Sequence, residues 1–476
     1  MSGIFGVISH KPCATELFYG TDYHSHLGTR RAGLSTIDNG VMHLNIHNIE
    51  NTQFKSKFNS DIHEMLGNKG IGVISDTDAQ PIVCNSHLGR FAVCSVSRIN
   101  NMAELEQECL DRRQQFTELS MGSTNPTELI ALLITQGKDF AAGIAHVREK
   151  VRGSVSYLIL TTDGIIAVRD RYGRTPLVIG ERDNGSGQTD YAIASESQSY
   201  TNLGFRTCRY IGPGEALLIN TDGIRQLLPP SDKMQICSFL WIYYGFPCAN
   251  YEDINAEEVR YRLGEAMGRR DDIQADYVSG IPDSGVGMAL GYAMGKHIPY
   301  KRGILKYTPT WSRSFMPTNQ EARNLVAKMK LIPSQKVLQD KDVVFCDDSI
   351  VRGTQLRDQV RMLYANGVRR IHVRISCPPL VYGCNYLNFS TSKTDNELIT
   401  RRIIARLEGT DSLTPAILQP YHDDTTPQYA RMVEAIRKEV GVDTLKFNTL
   451  GDLCAAIGIP KEQVCTHCFD ASSYGE

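Results

Sequence analysis

The chain has 476 residues, a length that corresponds to about three domains of average size. Its 51 Lys and Arg residues are balanced by 53 Asp and Glu residues, giving a formal charge of -2, so neither a strongly basic nucleic-acid surface nor an acidic tail organises it. No stretch approaches the ~18 uninterrupted apolar residues of a membrane helix, and the N-terminus lacks the features of a secretory signal. These features predict a cytoplasmic protein, without a membrane or nucleic-acid partner, whose 13 cysteines are reduced, metal-bound or catalytic.

Residues 2–230 predict an α+β domain. Short β-type runs separated by Gly, Asn and Asp turns occur at 4–8, 91–96, 156–160 and 165–168. A helical pattern covers Thr127 to Leu133. Many short strands with few helices are typical of stacked antiparallel sheets. Pro229 to Asp232 interrupt the pattern and are interpreted as a domain junction.

Residues 231–476 predict a parallel sheet. Strand-like runs at 277–282 and 343–346 each lead into a turn and a helical stretch, and a strand at 371–375 follows the second helix. Strand, loop, helix and strand form a βαβ unit, in which ligands bind at the carboxyl edge of the parallel strands.

The segment from Phe345 to Thr354 is the strongest chemical motif. An apolar strand brings two adjacent carboxylates, Asp347 and Asp348, to its carboxyl end, and a turn containing Ser and Gly then opens a helix. Backbone N–H groups at such a turn bind anions, and the carboxylates suit sugar hydroxyls or a bound cation. The motif therefore predicts a site for a ribose 5-phosphate.

This motif resembles the phosphoribosyl pyrophosphate (PRPP) loop of type I phosphoribosyltransferases, in the form found in the glutamine PRPP amidotransferase family. Other segments that match the family in order are Gly3–Gly6, Pro176–Gly180, Ala194–Ser197, Gly212–Glu215 and Ile281–Gly285. The resemblance implies an N-terminal nucleophile (Ntn), class II amidotransferase-like αββα sandwich over 2–230. It implies an α/β type I phosphoribosyltransferase domain with a parallel sheet, ending in a cysteine-containing segment, over 231–476.

The resemblance also implies roles for individual residues. Lys306 and Arg313 are the implied catalytic residues, because they match a mobile loop whose charge stabilises the leaving pyrophosphate. The implied PRPP-binding residues are Asp283, Ser284, Gly285, Asp347, Asp348, Ser349, Ile350, Val351, Arg352, Gly353 and Thr354. Magnesium (Mg²⁺) is implied at Ser284, Asp347 and Asp348.

A C-x-x-C pair, Cys465 and Cys468, lies near the C-terminus. By itself such a pair is compatible with a zinc site, a redox pair or an iron–sulfur cluster. One type of the family holds a 4Fe-4S cluster through four separated cysteines, and the matching positions are Cys237, Cys384, Cys465 and Cys468. The resemblance therefore implies a 4Fe-4S cluster, with structural Zn²⁺ on the same cysteines as the alternative.

The glutaminase part of the family pattern is altered. The family has a nucleophilic cysteine directly before Gly-Ile-x-Gly, whereas this chain has Ser2, which could still act as a nucleophile with its own α-amine as base. The arginine that binds the glutamine carboxylate aligns with 73–75, the oxyanion Asn-Gly pair with Val96 and Ser97, and the acidic residue for the substrate amine with Asn125 and Pro126. Loss of one oxyanion donor costs ~10²-fold or more in rate, so these replacements predict a degenerate glutaminase domain.

The function expected from these features is that of an amidophosphoribosyltransferase-like enzyme at the first step of de novo purine synthesis. It would make 5-phosphoribosylamine and pyrophosphate from PRPP, with ammonia rather than glutamine as the nitrogen donor. The ammonia would come from solution or from an ammonia-supplying protein, and the resemblance implies a homo-oligomer with purine nucleotide effectors. Two alternatives are a non-catalytic PRPP- or nucleotide-binding regulatory protein and a glutamine-dependent amidotransferase that uses Ser2.

Overall fold

The computed structural model describes residues 2–120, 122–307, 330–388 and 395–474. We refer to the described residues up to 230 as the N-terminal half and to those from 231 as the C-terminal half. Within these ranges, no helix is both long enough and apolar enough to cross a membrane.

Two antiparallel sheets dominate the N-terminal half. Its described strands are β1 (Gly3–Ile8), β2 (Arg31–Asp38), β3 (Val41–Asn48), β4 (Lys69–Ser75), β5 (Ile82–Ser86), β6 (Gly89–Ile99), β7 (Leu119–Ser120), β8 (Ser123–Thr124), β9 (Gly153–Thr161), β10 (Gly164–Val168), β11 (Val178–Asp183), β12 (Thr189–Ala194), β13 (Arg206–Tyr210), β14 (Ala216–Asn220) and β15 (Gly223–Leu228). Its described helices are α1 (Ala14–Asp22), α2 (Phe54–Phe58), α3 (Met102–Asp111), α4 (Pro126–Ile134), α5 (Phe140–Lys150) and α6 (Gln198–Leu203). One sheet has the order β13-β11-β12-β1-β4-β2-β3 and the other β15-β14-β10-β9-β6-β5.

These elements form four layers. Apolar side chains such as Ile4 and Val73 of the first sheet and Leu158 of the second share one core between the two sheets. A second core lies between the six-stranded sheet and α3 to α5, and a third between the seven-stranded sheet and α1 and α2. Because successive side chains of a strand point to opposite faces, covering both faces buries all six residues of β1.

The C-terminal half is built on a parallel sheet. Its described strands are β16 (Ile236–Cys237), β17 (Asn250–Tyr251), β18 (Ile254–Asn255), β19 (Tyr277–Gly280), β20 (Ile304–Lys306), β21 (Leu331–Pro333), β22 (Asp342–Asp347), β23 (Arg370–Ile375), β24 (Thr444–Phe447) and β25 (Val464–Cys465). Its described helices are α7 (Ala256–Arg270), α8 (Gly285–Lys296), α9 (Gln335–Leu338), α10 (Thr354–Ala365), α11 (Ile399–Glu408), α12 (Pro415–Leu418), α13 (Pro427–Val440), α14 (Leu450–Ile457) and α15 (His467–Asp470). The sheet has the order β19-β22-β23-β24 with every pair parallel, and β22, α10 and β23 are the βαβ unit expected from the sequence.

The two halves meet along the hairpin of β17 and β18. The Asn250 N–H donates to Ser197 Oγ (2.9 Å), and the Tyr251 hydroxyl donates to Glu196 Oε1 (2.5 Å). Next along the chain, Glu252 Oε1 lies 2.7 Å from the guanidinium of the buried Arg169. Three consecutive residues of the hairpin thus contact the N-terminal half.

Helices α7 and α8 pack with their backbones almost in contact. A Cβ atom added at Gly264 would lie 2.0 Å from the Met288 carbonyl oxygen, and one added at Gly291 would lie 2.0 Å from the Tyr261 carbonyl oxygen. Each helix therefore needs a glycine where the other passes over it. This contact matters to the site because α8 begins at Gly285, inside the turn implied to bind pyrophosphate.

We expect Gly264→Ala to destabilise the protein, because the new methyl group collides with main-chain atoms that cannot rotate away. Overpacking of this kind costs about 1–3 kcal/mol or more in the free energy of unfolding, measurable by urea denaturation. Gly451→Ala is the matched control. Gly451 lies in α14, and the nearest atom to an added Cβ there is Thr449 Oγ1 at 3.7 Å. The control should unfold at the same or a higher urea concentration, with a gain of up to about 1 kcal/mol, and equal losses in both variants would contradict the packing argument.

Candidate active site

Two turns meet at the carboxyl edge of the parallel sheet. Strands β19 and β22 are neighbours, and the turn after β19 is held against β22 by a hydrogen bond from the Ile281 N–H to the Cys346 carbonyl oxygen (2.9 Å). A Cβ atom at Gly285 would lie only 2.1 Å from that same oxygen. Glycine is therefore required at 285, and the approach brings the segment 283–285 next to the end of β22.

An adjacent pair of carboxylates occupies the end of β22. The Asp348 N–H donates to Asp347 Oδ1 (2.9 Å), and Ser349 donates its hydroxyl to Asp348. Burial raises the pKa of Asp347 well above its usual range, and repulsion from Asp348 adds to the rise. Burial also raises the pKa of Asp348, although a hydrogen bond with Ser284 opposes the rise. The two turns therefore share one buried acidic site.

The loop from Ser349 to Gly353 follows these carboxylates and leads into α10. Gly353 has a left-handed conformation (φ +77°), which glycine adopts without strain. Helix α11 supports the loop from behind, because the Ile399 N–H donates to the Val351 carbonyl oxygen (2.8 Å) and Arg402 Nη2 donates to that of Arg352 (2.9 Å). A compact turn at a helix start is suited to hold a phosphate.

The implied catalytic cation Lys306 lies at the same edge, at the end of β20. Its Nζ is 2.5 Å from Asp283 Oδ2, and both side chains are at least half exposed. Exposed ion pairs contribute only about 0–1 kcal/mol to stability, so Lys306 can exchange this partner for a phosphate oxygen. The second implied catalytic residue, Arg313, lies outside the described residues.

At the N-terminus of the chain, Ser2 lies beside another serine. Its hydroxyl donates to Ser75 Oγ (3.2 Å), at the end of β4. Ser75 Oγ also accepts hydrogen bonds from the N–H groups of Thr77 (3.2 Å) and Asp78 (3.1 Å). The buried Ser75, one of the residues 73–75 predicted to align with the family's carboxylate-binding arginine, thus organises a turn.

The other altered glutaminase positions also have structural contacts. The Ser97 carbonyl oxygen, at the position of the oxyanion pair, accepts a hydrogen bond from Asn388 Nδ2 (3.3 Å). At the position of the amine-binding acid, Asn125 caps α4 by accepting from the Thr127 N–H (2.9 Å), with Pro126 as the first helical residue. Neither position presents an Asn-Gly pair or a carboxylate to a substrate.

The four cysteines singled out from the sequence are brought together. Cys237 and Cys465 are register partners in the parallel pair of β16 and β25. A hydrogen bond with Cys468 lowers the pKa of Cys384 to about 6, and burial raises the pKa of Cys465 to about 11. Cys384 Sγ also accepts hydrogen bonds from the N–H groups of Tyr386 (3.5 Å) and Leu387 (3.3 Å).

Across the described ranges, no group of three or more His, Cys, Asp or Glu side chains is arranged to hold a metal ion. The sequence motifs also missed two arginines beside the cysteines. Arg174 lies with its guanidinium carbon 3.6 Å from the Tyr386 ring centre, and Arg98 Nη1 donates to the Leu387 carbonyl oxygen (3.1 Å). Both belong to the N-terminal half, so no local spacing pattern could have linked them to the cysteines.

Known proteins match this chain over nearly its whole length, and a family model matches part of it. Residues 69–202 match a family model described as "Glutamine amidotransferase domain". The amidophosphoribosyltransferase of Methanocaldococcus jannaschii is 30% identical over 501 aligned positions, covering 98% of this chain and 96% of the relative. The amidophosphoribosyltransferase of Bacillus subtilis is 29% identical over 468 positions, covering 96% and 89%.

A solved structure agrees with these relatives. The glutamine PRPP amidotransferase of B. subtilis, complexed with ADP and GMP, superposes with a TM-score of 0.83 at 28% identity, covering 99% of this chain and 96% of that one. Similarity of this extent includes both the sheets of the N-terminal half and the parallel sheet that carries the acidic pair. The chain therefore belongs to the amidophosphoribosyltransferase family and is an enzyme of the phosphoribosyltransferase class.

Proposed function

We propose that this chain makes 5-phosphoribosylamine and pyrophosphate from PRPP and ammonia, at the first step of de novo purine synthesis, and that it does not hydrolyse glutamine. One observation carries the proposal. The carboxyl edge of the parallel sheet keeps the acidic pair, the loop and Lys306 together, whereas the N-terminal half has Ser75 engaged in a turn where a glutamine carboxylate would need a cation.

PRPP binding follows from the two turns. The loop from Ser349 to Thr354, with the start of α10, offers N–H groups to the 5-phosphate. Asp347 and Asp348 accept hydrogen bonds from the ribose hydroxyls, and the turn of Asp283, Ser284 and Gly285 faces the pyrophosphate. Orientation of this kind lowers the barrier because the reacting atoms are already aligned.

The reaction forms a C–N bond at the anomeric carbon and breaks the C–O bond to pyrophosphate, which takes the electron pair. The attacking ammonia becomes a protonated amine, which gives its extra proton to water or to the released pyrophosphate. Lys306 stabilises the charge that develops on the departing oxygens, and we assign the same role to Arg313. Ser284, Asp347 and Asp348 suit Mg²⁺, which is usually held by one or two carboxylates together with substrate phosphates. When bound, this ion neutralises pyrophosphate charge.

The residues at the family's glutaminase positions disfavour the use of glutamine. Ser2 has a hydroxyl where the family has a thiol, and the residues at the carboxylate, oxyanion and amine positions are engaged in a turn, an interface contact and a helix cap. We therefore propose an Ntn-type sandwich over 2–230 that is inactive as a glutaminase, followed by a phosphoribosyltransferase domain over 231–476. The nitrogen donor would be free ammonia or an ammonia-supplying partner.

We further propose a 4Fe-4S cluster at Cys237, Cys384, Cys465 and Cys468. The four thiols are gathered from three distant segments of the chain, and two N–H groups already donate to Cys384 Sγ, as is common for cluster ligands. The alternative, a structural Zn²⁺ on the same cysteines, would need all four sulfurs within ~2.3 Å of one ion.

We also propose purine nucleotides as effectors, which the ADP and GMP bound in the B. subtilis structure support. Assembly as a homo-oligomer belongs to the same proposal.

The nitrogen donor can be tested by trapping phosphoribosylamine in reactions with PRPP, Mg²⁺ and either ammonium or glutamine. We expect product with ammonium and a rate with glutamine at least about 100-fold lower, because several glutaminase functions are missing. Equal rates with both donors would contradict the proposal. Ser2→Cys should not restore glutamine use, because it replaces the nucleophile but leaves Val73, Ile74 and Ser75 where the family has its arginine.

The acidic pair makes a prediction about pH. Because burial raises both pKa values, the carboxyls become protonated at a higher pH than an ordinary Asp. Acidification from neutral pH should therefore lower kcat/KM for PRPP before the ordinary Asp range near about pH 4 is reached. A profile that remains flat down to that range would show that these carboxylates do not control PRPP use.

A substitution tests the same pair directly. Asp348→Asn should reduce kcat/KM for PRPP by on the order of 100-fold, because an amide cannot replace the charge and acceptor geometry of the carboxylate. Asp340→Asn is the control, because Asp340 precedes the opposite end of β22 and asparagine also adopts its left-handed conformation (φ +57°). Similar losses in both variants would point to general damage rather than to a role in the site.

A further inference from the structure

Arg174 is a buried arginine whose guanidinium forms no ion pair with a carboxylate of the described residues. Its side chain is 1% exposed, and its Nε and Nη2 have no hydrogen-bond partner within the described ranges. Two other arginines are equally buried, and each has a carboxylate. Arg169 lies 2.7 Å from Glu252, and Arg374 lies 2.5 Å from Asp271. Burying a charge without a counter-charge is costly, so negative charge beside the guanidinium would stabilise Arg174.

The surroundings of Arg174 are the cysteine segments. Its carbonyl oxygen accepts a hydrogen bond from the Cys237 N–H (3.2 Å), and its guanidinium carbon lies 3.6 Å from the centre of the Tyr386 ring. Tyr386 in turn donates its N–H to Cys384 Sγ (3.5 Å). Cys237 is the register partner of Cys465. Arg174 therefore lies beside the segments that carry three of the four cysteines.

Protonated thiols are neutral and would leave Arg174 uncompensated. Cysteines bound to iron or zinc are thiolates, and a metal centre with four thiolates carries a net negative charge. The unpaired donors of the guanidinium are also suited to hydrogen bonds with sulfur at such a centre. The burial of Arg174 and the four cysteines thus explain each other if the site holds a metal.

We propose that Arg174 is the counter-charge that the N-terminal half supplies to an anionic metal–thiolate centre at Cys237, Cys384, Cys465 and Cys468. This inference rests on the proposed cluster and adds a residue that holds it from outside the ligand set. Arg98, also from the N-terminal half, stabilises the segment that carries Cys384. It donates to the Leu387 carbonyl oxygen (3.1 Å), and the Leu387 N–H donates to Cys384 Sγ (3.3 Å).

The test compares the whole protein with three variants, purified without oxygen. Arg174→Met removes the charge, Arg174→Lys keeps it, and Arg171→Met is the control because Arg171 is exposed. The readouts are iron, sulfide and zinc per chain, visible absorbance, and the rate at which a chelator removes the metal. We expect Arg174→Met to lose metal about 10–100-fold faster, the range found when groups supporting metal ligands are removed. Arg174→Lys should lie between it and the wild type, and Arg171→Met should match the wild type.

The outcomes separate this inference from the proposed cluster. Wild-type protein without metal would overturn both. Metal-bound wild type with unchanged metal release in Arg174→Met would overturn the role of Arg174 and leave the cluster in place. If Arg174→Met does not fold, Arg174→Lys decides. A lysine offers fewer donors than the guanidinium, so its release rate should rise several-fold, and an unchanged rate would overturn the proposal.

Discussion

The candidate site depends on how closely the turn after β19 approaches the end of β22. The Ile281 N–H donates to the Cys346 carbonyl oxygen, and the same oxygen lies so close to Gly285 that no side chain fits at position 285. The acidic pair and the turn of residues 283–285, which is implied to bind pyrophosphate, can form a single site only because of this contact. The contact in turn requires α8 to be correctly placed. Glycines on both helices allow this, because Gly264 of α7 and Gly291 of α8 let the two backbones approach closely where they cross. A requirement for small residues therefore extends from the reacting groups into the helical layer behind them.

The parts of the site that the sequence predicts are those in which neighbours in the chain are also neighbours in space. Residues 345–354 predict a strand, an acidic pair and a helix start because all three lie within ten residues, and helix α10 begins at Thr354, the last of these residues. Ser2 and the altered glutaminase positions can likewise be identified from the sequence, because each is a single residue that differs from the family pattern. By contrast, the placement of Arg313 stays a prediction, because it lies outside the described residues.

The sequence could not predict contacts between distant segments that have no motif of their own. Arg174 carries no signal in its spacing, and its relation to the cysteines appears only when β16 and β25 pair and bring Cys237 to Cys465. The same holds for the hairpin from Asn250 to Asn255, which has no motif of its own but joins the two halves through Glu196 and Arg169. A buried arginine and a surface arginine have the same residue type, so their difference is set entirely by tertiary packing.

These interface contacts give the N-terminal half a structural role that does not depend on glutamine hydrolysis. It provides the Glu196 and Ser197 contacts of the hairpin, and the same hairpin ends at Asn255, whose side chain caps α7 by accepting from the Glu257 and Glu258 N–H groups (both 3.0 Å). Helix α7 then packs on α8, which begins in the pyrophosphate turn. The proposed loss of the glutamine-binding residues would remove a reaction but leave this chain of contacts intact. The contacts thus link the N-terminal half, through the hairpin and α7, to the candidate site at the start of α8.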